Sequence, residues 1–243
     1  MKKPLSDKLV VVIGGAGILS EQITHALLNQ NATVALLAAS TQEINSHNYK
    51  SVTHASGRFI PYLTDPFDYI KCLDILYDLK VTYSGIDLVV TTLDNFCPQI
   101  ELTHTKLAEW HNVTEQNIKF FFTNRLILSY LKDENSMYLT IGKHDHLHSN
   151  NQNNIADLTA NQRLEIIETI SSEFTTIKSR YHHLFFDTAT LAKNTLDKNI
   201  RILADYIIEL YISGLKQKRD AGMNSVFQDL KILPSIYKSL PEK

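Results

Sequence analysis

Short apolar runs alternate along this chain with longer stretches of helical periodicity. The apolar runs, which we predict to be strands, are Leu9–Ile13, Thr33–Ala38, Phe59–Leu63, Ile86–Thr91, Met137–Ile141, Leu184–Phe186 and Val226–Leu233. The stretches with apolar residues three or four positions apart, which we predict to be helices, are Glu21–Gln30, Phe67–Leu79, Trp110–Lys132, Ala156–Arg180 and Ile200–Leu215. This alternation is typical of βαβ units, in which helices cross over between the strands of a parallel sheet.

The first apolar run indicates how deeply such a sheet is buried. Leu9–Ile13 is continuous and rich in β-branched residues, as expected for a strand that is covered on both faces. We find no internal repeat and no linker that divides the chain. We therefore predict one domain over residues 1–243, a Rossmann-like doubly wound α/β fold with about seven parallel strands between two layers of helices.

Two of the predicted helices carry expectations about packing. In Phe67–Leu79 we expect one buried face, made of Ile70, Leu73, Ile75, Leu76 and Leu79. In Trp110–Lys132 the consecutive residues Phe120, Phe121 and Phe122 cannot all point to one side, because successive side chains diverge around a helix. At least one of these rings is expected to contact something other than its own sheet.

Composition and charge exclude several classes of partner. The chain has 243 residues and a formal net charge of -2, so no basic field attracts nucleic acid or an anionic membrane. The apolar run Leu9–Leu19 is shorter than the about 20 residues that a membrane-spanning helix needs. Cys72 and Cys97 lack the spacing of metal ligands, which favours reduced thiols. We expect a cytoplasmic protein with no nucleic-acid or membrane partner.

A glycine-rich turn follows the first predicted strand. Gly14-Gly15-Ala16-Gly17 leads directly into a helix. Glycines permit a tight turn and a close approach of the backbone to a ligand, and a helix N-terminus favours an anion. A strand, a glycine turn and a helix in this order are typical of dinucleotide-binding folds. The alternative is a turn that merely joins a strand to a helix.

The chain resembles the short-chain dehydrogenase/reductase family over nearly its whole length. Leu9–Ser20 resembles the first strand and glycine motif of that family, and Tyr83–Val90 resembles its fourth strand. Glu109–Lys132 resembles its long fifth helix, and Met137–Ile141 falls where its fifth strand lies. The resemblance implies a Rossmann-like fold, NAD or NADP as the cofactor, and the oxidation of alcohols or reduction of carbonyls.

Most of the residues that the family uses for proton transfer are missing. The resemblance places the family's catalytic Asn at Asn117, but its Ser at Gly142, its Tyr at Ala156 and its Lys at Ala160. Neither alanine can donate a proton. A different alignment does not help, because none of the residues four places after the eleven tyrosines is a lysine. Without these partners we expect Asn117 to be structural rather than catalytic, bridging helix and sheet.

The same resemblance implies a set of cofactor contacts: Gly14, Ala16, Gly17, Leu19, Ser40, Leu63, Thr91 and Leu93. Several of the family's usual contacts have changed. The third glycine of the turn is Ser20. The stretch 38–41 after the second strand lacks the acidic residue that would hold the adenosine ribose, and it has no Arg or Lys for a 2′-phosphate. The resemblance therefore implies a cleft for NAD or NADP in which several of the usual contacts are missing.

A polar loop, Lys143–Asn154, lies where the resemblance places the entrance for substrate. It carries His144, His146 and His148 beside Asp145. Converging histidines bind metals, and one of them could replace the lost acid. No distant set of ligands accompanies them, so we predict a solvated loop and no metal site. His182 and His183 are predicted to be structural residues that precede the sixth strand.

Two functions remain open at this point. The first is a non-catalytic binding or scaffold protein, such as the structural partner of an active paralogue. The second is an NAD(P)-dependent oxidoreductase that uses atypical residues, with His144, His146 or His148 as the acid. The missing proton-transfer pair favours the first. Helices 110–132 and 156–180 correspond to helices that form the family's oligomer interface, so we expect a homo- or hetero-oligomer through them.

Overall fold

The structure, a computed structural model, describes residues 3–14, 18–41, 44, 57–66, 68–92, 104–133, 135–143, 162, 165–166, 169–170, 180–186 and 203–212. The predicted final strand, Val226–Leu233, lies outside these residues, and so do His144, His146 and His148.

Within the described residues, six strands form one parallel sheet in the order β3-β2-β1-β4-β5-β6. They are β1 Leu9–Ile13, β2 Thr33–Ala38, β3 Arg58–Leu63, β4 Leu88–Thr92, β5 Met137–Lys143 and β6 Arg180–Phe186. Val10 of β1 pairs with Val34 of β2 on one side and with Leu88 of β4 on the other. This strand order is that of doubly wound dinucleotide-binding sheets, so the predicted fold class is confirmed.

The central strands β1 and β2 follow the prediction more closely than β6 does. β1 and β2 have the predicted bounds, because continuous apolar sequence is buried on both faces of the sheet. β6 begins at Arg180 rather than Leu184, since residues 180–183 pair in parallel register with residues 137–140 of β5. Arg180 was predicted to end a helix, and His182 and His183 to precede the strand. Both predictions were wrong, because this polar sequence carries no strand pattern.

Three helices have complete descriptions, α1 Ile18–Asn29, α2 Tyr69–Tyr83 and α3 Leu107–Leu128. Residues 203–212 form a further helix, and residues 162, 165–166 and 169–170 are helical within the predicted helix Ala156–Arg180. α2 begins where the side chain of Asp68 accepts a hydrogen bond from the backbone N–H of Lys71 at 3.2 Å. α3 begins three residues before the predicted start, with the Glu109 carboxylate accepting from the backbone N–H of Lys106 at 2.7 Å.

The buried face of α2 differs from the predicted one. Cys72, Leu76 and Leu79 are its buried residues, whereas Ile70 is 70% exposed. Residues at spacings of four and three follow one side of a helix, and Ile70 stands on the opposite side from Leu79. The prediction for Ile70 was therefore wrong.

The C-terminal end of α3 is set by a pairing that is distant in sequence. The predicted helix extended to Lys132, but α3 ends at Leu128. The next residues bond to the approach to β4: the N–H of Ile86 donates to the carbonyl of Tyr130, and the N–H of Lys132 donates to the carbonyl of Ile86, both at 2.9 Å. This isolated bridge requires extended backbone and so excludes further helix.

Two apolar cores lie on the two faces of the sheet. The first joins α1 and the helix at 203–212 to alternate strand residues such as Val10 and Leu36. The second joins α2, α3 and Ile170 to the intervening strand residues, such as Val11 and Tyr138. The three-layer α/β/α arrangement that we predicted is therefore present. Within the described residues, no helix combines the length and the apolar character needed to cross a bilayer.

An ion pair fastens the amino ends of β1 and β4. The buried carboxylate of Asp87 accepts from the side-chain ammonium of Lys8 at 2.9 Å and from the backbone N–H of Leu9 at 3.0 Å. Burial by itself would lower the pKa of Lys8, but the hydrogen bond to Asp87 and nearby acidic groups raise it above its ordinary value.

We expect Asp87→Ala to lower the free energy of unfolding by about 1–3 kcal/mol, because it leaves a buried N–H without its acceptor. Below pH 10.5, the ordinary pKa of Lys8, the ion pair contributes fully. Its contribution disappears as the pH rises through the raised folded-state pKa, so the difference from the native chain shrinks there. Urea unfolding at neutral and strongly alkaline pH measures this difference in stability. Asp74→Ala, at an exposed position of α2, is the control. Equal midpoints for the native and Asp87→Ala chains at neutral pH would contradict the assignment.

Candidate functional site

The strand order reverses between β1 and β4. These strands are neighbours, yet the chain continues from β1 to β2 on one side and from β4 to β5 on the other. In doubly wound sheets, ligands bind in the crevice outside the carboxyl ends of the strands at such a switch point. Gly14 follows β1 and Thr92 ends β4, so these two residues mark the candidate site.

Gly14, the first residue of the glycine-rich turn, packs tightly against the end of β4. Gly14 has a φ of +101°, a conformation that residues with a Cβ rarely adopt. A Cβ at this position would lie 2.2 Å from Oγ1 of Thr92 and 2.8 Å from its carbonyl oxygen. The Thr92 hydroxyl donates to the carbonyl of Gly14 at 3.0 Å. The side chain of Thr92 is thus hydrogen-bonded to Gly14 at the start of the turn.

The side chain of the preceding residue, Thr91, forms a hydrogen bond on the opposite face of the sheet. Its hydroxyl shares a hydrogen bond of 3.2 Å with the hydroxyl of Tyr138 on β5, and both side chains are buried. Burial raises the pKa of Tyr138 above its ordinary value, although the bond to Thr91 opposes this shift. Tyr138 therefore keeps its proton and has no access to a ligand.

The other predicted cofactor contacts differ in accessibility. Leu19 is buried in the first core. Ser40 is half-buried just beyond β2, where its carbonyl accepts from the N–H of Ile44 at 3.2 Å. Leu63 ends β3 and is 56% exposed. Ala16, Gly17 and Leu93 lie outside the described residues. Among the described members of the set, Ser40 and Leu63 have the side chains that a ligand can reach.

Asn117 links α3 to a second helical segment. It lies on α3 and is 7% exposed, and its Nδ2 donates to Oε1 of Gln162 at 2.7 Å. The sequence did not predict this partner, because Gln162 belongs to the helical segment between β5 and β6. Sequence reasoning missed Gln162, since a single glutamine forms no motif. Its position two residues after Ala160 was the available signal.

The remaining catalytic positions are Gly142, Ala156 and Ala160. Gly142 lies on β5, where its backbone pairs with Phe185 of β6. A glycine offers no hydroxyl to a substrate. Ala156 and Ala160 lie outside the described residues.

We expect the Asn117–Gln162 hydrogen bond to be detectable as a coupling energy. Asn117→Ala and Gln162→Ala each remove one side of a partly buried amide pair. Each variant should lose about 1–3 kcal/mol, and the double variant should lose less than the sum by about 1 kcal/mol. Thermal or urea unfolding of the native chain, the two single variants and the double variant measures this coupling energy. Additive losses would show that the two amides act independently.

Metal and thiol chemistry find no support among the described residues. No group of three or more His, Cys, Asp or Glu side chains converges there. The Cys72 thiol is buried on α2 and donates to the carbonyl of Pro66 at 3.4 Å. Burial, together with the charges of Asp65 and Asp68, raises the pKa of this thiol to about 12, so it is not a reactive thiolate at neutral pH.

Comparison with known proteins shows which solved structures share this architecture. No model of a known protein family matches the chain, and no curated protein matches it. A solved structure of a putative dehydrogenase from Burkholderia cenocepacia with bound NADP matches with a TM-score of 0.69, at 16% identity, over 89% of this chain and 91% of that one. The short-chain dehydrogenase/reductase SDR:glucose/ribitol dehydrogenase from Brucella melitensis matches with a TM-score of 0.68, at 14% identity, over 87% and 91% of the two chains. This chain has the short-chain dehydrogenase/reductase fold.

A third solved structure matches over a similar share of each chain. The NADH-dependent reductase A1-R′ complexed with NAD matches with a TM-score of 0.67, at 14% identity, over 86% of this chain and 90% of that one. The match to these three structures spans most of each chain, so the short-chain dehydrogenase/reductase fold covers far more than the glycine turn.

Proposed function

We propose that this chain is a divergent member of the short-chain dehydrogenase/reductase family that has lost the proton-transfer chemistry of the family. In this proposal it is a single domain over residues 1–243 that acts in the cytoplasm as a binding or scaffold protein. Its partner is an active paralogue or a second copy of itself.

The observation that carries the proposal is the absence of a Tyr-x-x-x-Lys pair from the full sequence. In this family the phenol exchanges a proton with the substrate oxygen, and the ammonium lowers the pKa of the phenol. General acid–base catalysis typically contributes about 10²–10⁴-fold in rate, and no rearrangement of the alignment restores it here.

The described residues near the crevice support the same conclusion. Tyr138 is buried against Thr91, its pKa is raised, and the residue four positions later is Gly142 rather than a lysine. The amide of Asn117 is engaged by Gln162. These side chains therefore serve the packing of the fold.

The proposal extends to the cofactor. A nucleotide in the crevice would reach Ser40 and Leu63, but it would find no acidic residue for its ribose and no basic residue for a 2′-phosphate in the stretch 38–41. We therefore propose that NAD and NADP bind weakly or not at all.

A second candidate function follows from the solved structures that hold NADP or NAD on this fold. In it the chain retains the cofactor and reduces a carbonyl with an atypical acid, His144, His146 or His148. The glycine-rich sequence after β1 favours this candidate, because glycines let a backbone approach a pyrophosphate closely.

Association through α3 and the segment 156–180 is part of the first proposal. The three rings of Phe120, Phe121 and Phe122 diverge as predicted: Phe120 is buried, Phe121 is half-buried and Phe122 is 48% exposed. Ile118, one turn before Phe122, is also exposed. A partner that covers these two side chains would bury apolar surface that the chain leaves in water.

The experiment that tests the proposal follows NADH and NADPH oxidation by absorbance with a panel of aldehydes and ketones. We expect rates at the level of the protein-free control. Turnover that disappears in a His144→Ala/His146→Ala/His148→Ala variant would establish the second candidate instead. An intact reductase with this fold, assayed in parallel, verifies that the panel reports activity.

A further inference from the structure

The outward surface of α2 carries an apolar row beside an acidic row. The apolar row is Ile70, Tyr77 and Val81, which are 70%, 59% and 68% exposed. The acidic row is Asp74 and Asp78, both exposed. We call these five residues the α2 face. Its members recur at three- and four-residue spacing, so they lie along one side of the helix over about 16 Å.

The basic residues of α2 do not neutralise the acidic row. The ammonium of Lys71 pairs with Asp68 at the start of the helix, at 3.3 Å. The ammonium of Lys80 stands over the ring of Tyr130, 5.3 Å from its centroid. Within the described part of the chain, no basic side chain forms an ion pair with Asp74 or Asp78. The α2 face therefore presents two uncompensated negative charges, one turn apart, beside its apolar row.

We propose that the α2 face docks an amphipathic helix of a partner protein that carries basic residues one turn apart beside its apolar stripe. The three exposed apolar residues match the spacing by which a helix face receives another helix. The two carboxylates would fix the orientation and register of the partner through charge complementarity. The five residues of this surface lie on α2 and none lies on α3, so the inference does not rest on the proposed function.

Charge disfavours two other occupants of this surface. In an antiparallel two-fold contact with a second copy, the same patch meets itself and the two acidic rows would lie on the same side, against each other. An anionic membrane surface attracts polybasic segments, and it would repel Asp74 and Asp78. A basic helix is the occupant that satisfies both rows.

The test uses a fluorescein-labelled synthetic amphipathic peptide with leucines on one face and pairs of lysines one turn apart beside them. Its binding to the full chain is measured by fluorescence anisotropy. We expect Asp74→Lys/Asp78→Lys to weaken the affinity at least about tenfold, and Ile70→Ser/Val81→Ser to do the same. Circular dichroism verifies that these surface variants remain folded.

A matched control separates docking from general electrostatic attraction. Asp205 and Glu209 are also exposed and one turn apart, on the helix at 203–212. Asp205→Lys/Glu209→Lys changes the net charge by the same amount and should leave the affinity unchanged. Equal losses in the two charge-reversed variants would overturn the proposal, as would the absence of peptide binding. Sedimentation showing a dimer that Ile70→Ser/Val81→Ser dissociates would replace the proposed partner with a second copy.

Discussion

Phe120→Ala is expected to lower the free energy of unfolding by about 3–5 kcal/mol. The ring of Phe120 is fully buried on α3, and removal of a buried aromatic side chain leaves a cavity that the surrounding side chains fill only in part. Urea unfolding followed by circular dichroism gives the free energy and the slope of the transition. The loss should appear as a lower midpoint with an unchanged slope.

Phe122→Ala provides the matched control for this substitution. Phe122 is half exposed and makes edge-to-face contacts with Tyr69 and Phe121, with ring centroids 6.5 Å and 5.4 Å apart. Its loss should cost about 1 kcal/mol or less. The order of the two variants tests the rotation of α3 about its axis. A larger loss for Phe122→Ala than for Phe120→Ala would mean that α3 presents a different side to the sheet.

Gly14→Val is expected to cost about 4 kcal/mol, from two sources that act together. A β-branched residue at φ +101° is strained by about 1–3 kcal/mol, and its added atoms meet Thr92 at less than contact distance, which costs a similar amount. Ala39→Val adds the same side chain at an exposed position just after β2, where we expect a change within about 0.5 kcal/mol.

The same substitution in a Thr92→Ala background separates the two sources. The contact with Oγ1 of Thr92 is then absent, while the contact with its carbonyl and the backbone strain remain. We therefore expect a smaller but still large loss relative to Thr92→Ala alone. If Gly14→Val were no more costly than Ala39→Val in the native background, the close approach of β1 to β4 would be wrong.

The sequence predicted the elements whose formation depends on local pattern. β1 and β2 consist of continuous apolar residues that are buried on both faces, so composition alone sets their bounds. β6 begins four residues before its apolar run, because a neighbouring strand can pair with any backbone, polar side chains included. α3 stops at Leu128 because Ile86 bonds to Tyr130 and Lys132, a partner more than forty positions away that no local pattern records.

The candidate site also has features that the sequence predicted and contacts that it did not. The missing Tyr-x-x-x-Lys pair is a property of the chain alone and can be established without a structure. Three hydrogen bonds of the site join residues that are distant in sequence. They are those of Thr92 to Gly14, of Thr91 to Tyr138 and of Asn117 to Gln162. They depend on strand order and helix packing, so the sequence identified one residue of each pair as a candidate without predicting its contact.

Calorimetric titration of the full chain with NAD⁺, NADH, NADP⁺ and NADPH tests the proposed loss of cofactor binding most directly, because it requires no knowledge of a substrate. The stretch 38–41 has neither an acidic residue for the ribose nor an Arg or Lys for a 2′-phosphate, so we predict no saturable heat up to about 1 mM of any of the four nucleotides, a limit near 4 kcal/mol of binding free energy. Saturable binding of one nucleotide in the micromolar range, at one site per chain, would contradict the account.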